Sequence, residues 1–181
     1  MINFLYILLL TISCDTNDAI QFYRISKNPT EVKNIQTGPS LENKLKWDTP
    51  KGWIVSSGSK MRLASYNVPY SNGYGDLSIM ILSGNGGGVE ANINRWRQQI
   101  DLEPHNISDI NKTAQKRENN LGTYQIFEIV NTKSKNKAFL SAIMPSSKGT
   151  VFIKLSISEA GISEIKDDFI YFCDSFKLVD E

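Results

Sequence analysis

One stretch, residues 77–102, restricts the possible folds more than any other: LSIMILSGNGGGVEANINRWRQQIDL. It opens with a short apolar run, residues 77–82, of the length of a buried strand. Four glycines within residues 83–88 then end the strand and admit positive backbone torsion angles. From Val89 the period changes. Val89, Ile93, Trp96 and Ile100 follow at steps of four, three and four, which is one stripe of an amphipathic helix. At about 100° per residue, Asn94, Arg95 and Gln98 face away, with Asn92, Arg97 and Gln99 on the borders. A helix divided in this way is expected to press Trp96 onto a sheet and present its amide and arginine face to solvent.

The glycine run invites a phosphate-binding reading, because backbone N–H groups at a helix N-terminus attract anions. The motifs do not fit. A dinucleotide fingerprint starting at Gly84 needs glycine or alanine at position 89, which is Val89. A P-loop needs Gly-Lys-Ser/Thr, whereas Gly88 is followed by Val89 and Glu90. A strand-to-helix connection is the better account. With a net charge of +1 and no basic patch interleaved with aromatics, nucleic acid is not an expected partner.

Around this unit the chain carries further strand signals. The 47–53 segment places a Pro50-x-Gly52 turn between Trp47 and Trp53, so that both rings can cover one edge of a core. A strand is expected to start at 53–55 and another to span 61–68, with a turn-rich connection at 69–75. Residues 104–120 are polar. Strands are expected at 121–130, 138–144 and 150–157, with turns at 131–136 and 145–149. In the last strand Val151, Ile153, Leu155 and Ile157 share one face, and Phe152, Lys154 and Ser156 share the other. Short loops between successive strands imply antiparallel hairpins. Helical spacing returns at Ile162, Ile165, Phe169, Phe172 and Phe176. The expected fold class is α+β: an antiparallel β-sheet flanked by helices in an α/β/α sandwich.

The first residues stand apart. An apolar run from Phe4 to Leu10, too short to span a bilayer, fits a secretory signal over residues 1–13. A small residue directly before Cys14 resembles the lipobox of bacterial lipoproteins, which implies acylation of Cys14. The competing readings are an ordinary signal peptide and a buried N-terminal strand. Asp15 follows directly, and the membrane leaflet is left open. Residues 14–45, polar and of mixed charge, are expected to form a tether, with a single globular domain over 46–181. Once Cys14 is acylated only Cys173 remains, so no intramolecular disulfide is expected.

Several motifs together resemble an uncharacterised group of bacterial exported lipoproteins with a PsbP/Mog-like fold. They are the 47–53 segment WDTPKGW, the 61–66 segment MRLASY, Gly86-Gly87-Gly88, the 91–99 segment ANINRWRQQ, and a closing helix over 169–178, FIYFCDSFKL. The resemblance covers about residues 47–178. It implies a PsbP-like fold and a module that acts by binding a partner protein, with no shared catalytic residues.

The catalytic inventory is thin. His105 is the sole histidine, which excludes a His-based metal cluster and makes any Ser-His-Asp triad depend on it. Asp167 and Asp168 diverge by about 100° on a helix and suit a solvated face. No cofactor or metal is expected. The candidate binding residues are Asn92, Asn94, Arg95, Arg97 and Gln98, with arginine suited to carboxylates. The alternative is that these side chains hold the glycine loop and its neighbours by internal hydrogen bonds. The functional expectation is a non-enzymatic, membrane-anchored lipoprotein on the periplasmic side of the bacterial envelope. It would bind or help assemble an envelope protein, touching the membrane through its lipid. An envelope hydrolase or a small-anion-binding protein with an unrecognised site is the alternative.

Overall fold

The computed structural model of the chain describes residues 44–134, 137–147 and 149–179. The expected signal segment, Cys14 and nearly all of the expected tether lie outside the described residues. The elements run β1 (Leu45–Lys46), β2 (Ile54–Val55), β3 (Ala64–Tyr70), β4 (Gly73–Leu82), α1 (Val89–Gln99), α2 (Ile107–Thr113), β5 (Gln115–Asn119), β6 (Gly122–Val130), β7 (Ala138–Ser146), β8 (Gly149–Ile157), α3 (Glu159–Asp174) and β9 (Lys177–Leu178). Seven strands form one antiparallel sheet in the order β2-β3-β4-β8-β7-β6-β5.

Alternation along the strands decides what each face packs against. On β8, Val151, Ile153, Leu155 and Ile157 join a core with Ile162, Ile165, Phe169 and Phe172 of α3. Phe152 points the other way, into a second core with Phe127, Ile129, Phe139 and Ile143. Ile93, Trp96 and Ile100 from the α1 stripe, and Ile110 from α2, close over that second core. Each side chain buried in this way contributes about 1.5–3 kcal/mol. The result is the expected α+β arrangement, an antiparallel sheet with helices on both faces.

The aromatic corner forms as the Trp47 and Trp53 spacing suggested. Phe172 of α3 sits 4.9 Å from Trp53 and 6.5 Å from Trp47, ring centre to ring centre, and Trp47 stacks on Phe176 at 5.2 Å. The Trp47 indole donates to the Tyr66 hydroxyl at 2.8 Å. Directly beside this corner β1 pairs antiparallel with β9, Leu45 against Leu178 and Lys46 against Lys177. The Val179 N–H continues the ladder to the Lys44 carbonyl at 2.9 Å.

Several boundaries differ from expectation. The 69–75 connection is mostly strand: β3 runs through Pro69 to Tyr70, and β4 restarts at Gly73, whose φ of 139° suits the close of a tight hairpin. Pro69 is tolerated because β2 stops pairing at Asn67, so no neighbour asks for its missing N–H. Pro145 likewise extends β7 beyond the end of its pairing with β6. Met61 to Leu63 is turn rather than strand, closed by the Arg62 N–H on the Ser59 carbonyl. The polar 104–120 stretch contains α2 and β5. The closing helix ends at Asp174 and gives way to β9.

Candidate functional site

Of the five candidate binding residues, four make side-chain hydrogen bonds within the protein: Asn92, Asn94 and Arg97 to neighbouring loop segments, and Arg95 to Asn92. Asn92 is buried at 2% exposure. Its amide donates to the Gly86 carbonyl at 2.9 Å and the Gly88 carbonyl at 2.7 Å, and its oxygen accepts from Arg95. This side chain therefore organises the glycine loop, where Gly88 at the N-cap of α1 offers no side chain to do so. The loop is also held by the Thr150 hydroxyl on the Gly84 carbonyl at 2.8 Å. Gly86, at φ 58°, passes so close to Phe152 that a Cβ there would lie 2.4 Å from the ring. The loop is a packed connection.

Asn94 exchanges two hydrogen bonds with the backbone of His105, both at 2.8 Å. Arg97 donates to the Glu103 carbonyl at 2.7 Å and to His105 Nε2 at 2.8 Å, and partial burial lowers its pKa from the ordinary arginine range. Together they pin the 103–105 segment leading into α2. Gln98 is exposed and bonds nothing through its side chain among the described residues. Arg95 is exposed at its position on α1 but turns toward the sheet, and there the structure gathers a site that helical spacing alone did not outline.

On the second face of the sheet, Ile93, Trp96 and Ile100 of α1 close over side chains of β6, β7 and β8, while Met80 and Leu82 of β4 are only partly buried at the margin of that core. A cleft of about 290 Å³ lies along this boundary. Its floor carries Ser78, Met80 and Leu82 of β4 beside Phe152 and Lys154 of β8. One wall is Arg95, Trp96 and Gln99 of α1, and the facing wall is Met61 and Arg62 from the turn before β3. Ser78 sits across from Lys154 and Met80 across from Phe152 in the strand register, so a polar rung is followed by an apolar one along the floor.

The charges in this cleft do not balance. Arg62 is matched, its fork holding Asp76 at 2.8 and 2.9 Å. Lys154 donates to Gln99 Oε1 at 2.8 Å and lies 4.6 Å from the centre of the Phe139 ring. Burial lowers the Lys154 pKa, and the Arg62 and Arg95 charges lower it further against the opposing pull of Asp76. Neither Lys154 nor Arg95 has a carboxylate within ion-pair distance among the described residues.

The arrangement lacks a nucleophile paired to a base. The Ser78 hydroxyl donates to the Lys154 backbone carbonyl at 3.3 Å, while Lys154 Nζ is turned to Gln99. Cys173 is wholly buried, which pushes its thiol pKa well up. His105 lies on the far side of the Arg97 bond and does not line the cleft. No three His, Cys, Asp or Glu side chains gather as a metal site among the described residues. Asp174, unassigned from spacing, anchors a second polar cluster. It accepts from Arg117 at 2.6 and 3.1 Å and from the Tyr124 hydroxyl at 2.6 Å, tying α3 to β5 and β6.

No protein-family model matches the chain, and no curated protein matches it. Among solved structures it is similar to cyanobacterial PsbP (CyanoP) from Synechocystis sp. PCC 6803, 14% identical with a TM-score of 0.47 over 75% of this chain and 93% of that one. It is also similar to a protein from Bacteroides thetaiotaomicron VPI-5482, at 11% identity and TM-score 0.43 over 78% of this chain, which spans about half (47%) of that one. LpqN, involved in cell envelope biogenesis of Mycobacterium tuberculosis, is similar at 9% identity and TM-score 0.40, covering 75% of this chain and 83% of that one. The PsbP likeness expected from the tryptophan, glycine and arginine motifs has its counterpart in the first of these. These are likenesses of fold alone.

Proposed function

We propose that this chain is a lipid-anchored, non-catalytic binding module of the bacterial cell envelope, whose binding site is the cleft beside α1. The observation that carries the reading is the pair of unmatched cations, Arg95 and Lys154, above an apolar floor. A half-buried ammonium without a counter-charge is costly unless an anion joins it. The outer face of α1, the other candidate for docking, is weakened by the internal bonds of Asn92, Asn94 and Arg97. The non-catalytic part is supported by Ser78, His105 and Cys173 all being engaged or buried without an activating partner. No helix among the described residues is long and apolar enough to cross a membrane; in this reading the anchor is an acyl group on Cys14, supported by the apolar run and small residue that precede it.

Two measurements test the reading. Radiolabelled fatty acid should enter the parent and not Cys14→Ala; equal labelling removes the anchor. Native mass spectrometry of the full chain purified from envelopes should show a retained species that is lost in Arg95→Glu. The same bare mass for both proteins would remove the cleft as the binding site.

A further inference from the structure

Taking the cleft as the binding site, we infer that its ligand is a single-chain carboxylate amphiphile. Its head lies between Arg95 and Lys154 and its aliphatic tail runs along Met80, Phe152 and Leu82. Three features select this chemistry.

The first is charge. Asp76 occupies the fork of Arg62, so two positive charges remain to be met. One carboxylate between them can accept from the unshared N–H groups of Arg95 and from the two ammonium protons that Lys154 does not give to Gln99. A neutral alcohol or ester would leave both cations unanswered.

The second is the gradient along the strands. From Ser78 to Leu82 is four residues, about 13 Å at about 3.3 Å per residue. The Ser78–Lys154 rung is polar, the Met80–Phe152 rung is apolar, and Leu82 continues the apolar row. A compact anion such as sulfate would use only the first rung.

The third is size. A volume of about 290 Å³ is at the small end of ligand pockets and accommodates a medium-length chain rather than a nucleotide or a two-chain lipid. Met61 rims the opening at 71% exposure and offers a flexible thioether to cover the tail.

The test is calorimetric titration of the full chain, carrying Cys14→Ser so that no acyl group competes, with decanoate below its micelle concentration. Decanol and acetate are run as separate probes. Saturable decanoate binding is expected, with decanol and acetate each at least about tenfold weaker. Arg95→Gln also gives up the bond to Asn92, so its melting temperature is compared with the parent's; with the fold intact it should weaken decanoate about tenfold, as should Lys154→Met, and Gln98→Ala should not alter it. Equal binding of decanol, equal binding of acetate, an unaffected Arg95→Gln, or no saturation by decanoate each overturns the assignment. If decanoate fails while an acidic peptide or another species is retained in an Arg95-dependent way, the ligand class is wrong and the cleft stands. If nothing is retained at all, both fall.

Discussion

Replacing Asn92 should loosen the glycine loop by an amount that its bonds set. The side chain donates twice, to Gly86 and Gly88, from a site with 2% exposure. A neutral hydrogen bond contributes about 0.5–1.5 kcal/mol net, and a buried acceptor left unpaired costs about 1–3 kcal/mol. The Gly88 carbonyl keeps a long bond from the Asn92 backbone N–H at 3.4 Å, so the Gly86 carbonyl is the one stranded. Asn92→Ala should therefore cost about 2–3 kcal/mol in urea unfolding. Asn92→Asp is the sharper comparison. It keeps the shape and places a carboxylate against Arg95, yet replaces the NH2 group that donates both bonds by a single oxygen facing two carbonyl oxygens. It should be at least as destabilising as Asn92→Ala, with faster amide exchange at Gly86, Gly87 and Gly88. If Asn92→Asp matches or exceeds the parent, or Asn92→Ala falls within about 0.5 kcal/mol of it, the loop does not depend on these bonds and the reasoning is wrong.

Phe172→Ala removes the ring that Trp47, Trp53, Tyr66 and Phe176 share, and should cost about 3–5 kcal/mol with a shift in tryptophan emission. Gly86→Ala forces a Cβ into Phe152 at a positive φ and should lower stability by about 1–3 kcal/mol, measured by thermal melting. Partial burial raises the Asp174 pKa, but bonds from Arg117 and Tyr124 outweigh it and hold the carboxyl below its ordinary value. The folded state then binds fewer protons than the unfolded one. The stability it adds is present above the unfolded carboxyl pKa of about 3.9 and is lost as pH falls through the lower folded value. Urea midpoints of the parent should drop in that acid window, and those of Asp174→Asn should drop less.

The parts of the fold that could be read from the residues are those in which burial and period coincide. Val89, Ile93, Trp96 and Ile100 recur at helical spacing because one side of α1 meets the sheet, and Val151 to Ile157 alternate because β8 lies between two layers. β5 has no such record: Gln115 to Asn119 is an edge strand of polar residues, fixed by its hairpin to β6. α2 buries Ile110 alone, so no stripe can show, although Asn106 followed by Asp109 carries a helix-start signal. At the site, spacing placed Asn92 on the border of α1 but could not say that two glycine carbonyls would draw it inward. The bonds of Asn94 and Arg97 reach residues 103–105, which no local pattern pairs with a helix face. The cleft depends on how far α1 extends across the sheet. Phe152 and Lys154 could be placed on one face, but not the fact that Met80 and Leu82 would be left partly buried beside α1.

The short β1–β9 ladder carries a consequence for how this domain can be rewired. Lys44 and Val179 are hydrogen-bonded neighbours, so the segment 44–179 begins and ends at the same place. A permuted polypeptide that joins residues 44 and 179 through a brief linker, and opens instead between Ser71 and Asn72, retains every strand pairing of the seven-stranded sheet. Its folding would show that the order in which these segments are synthesised is separable from the shape they reach.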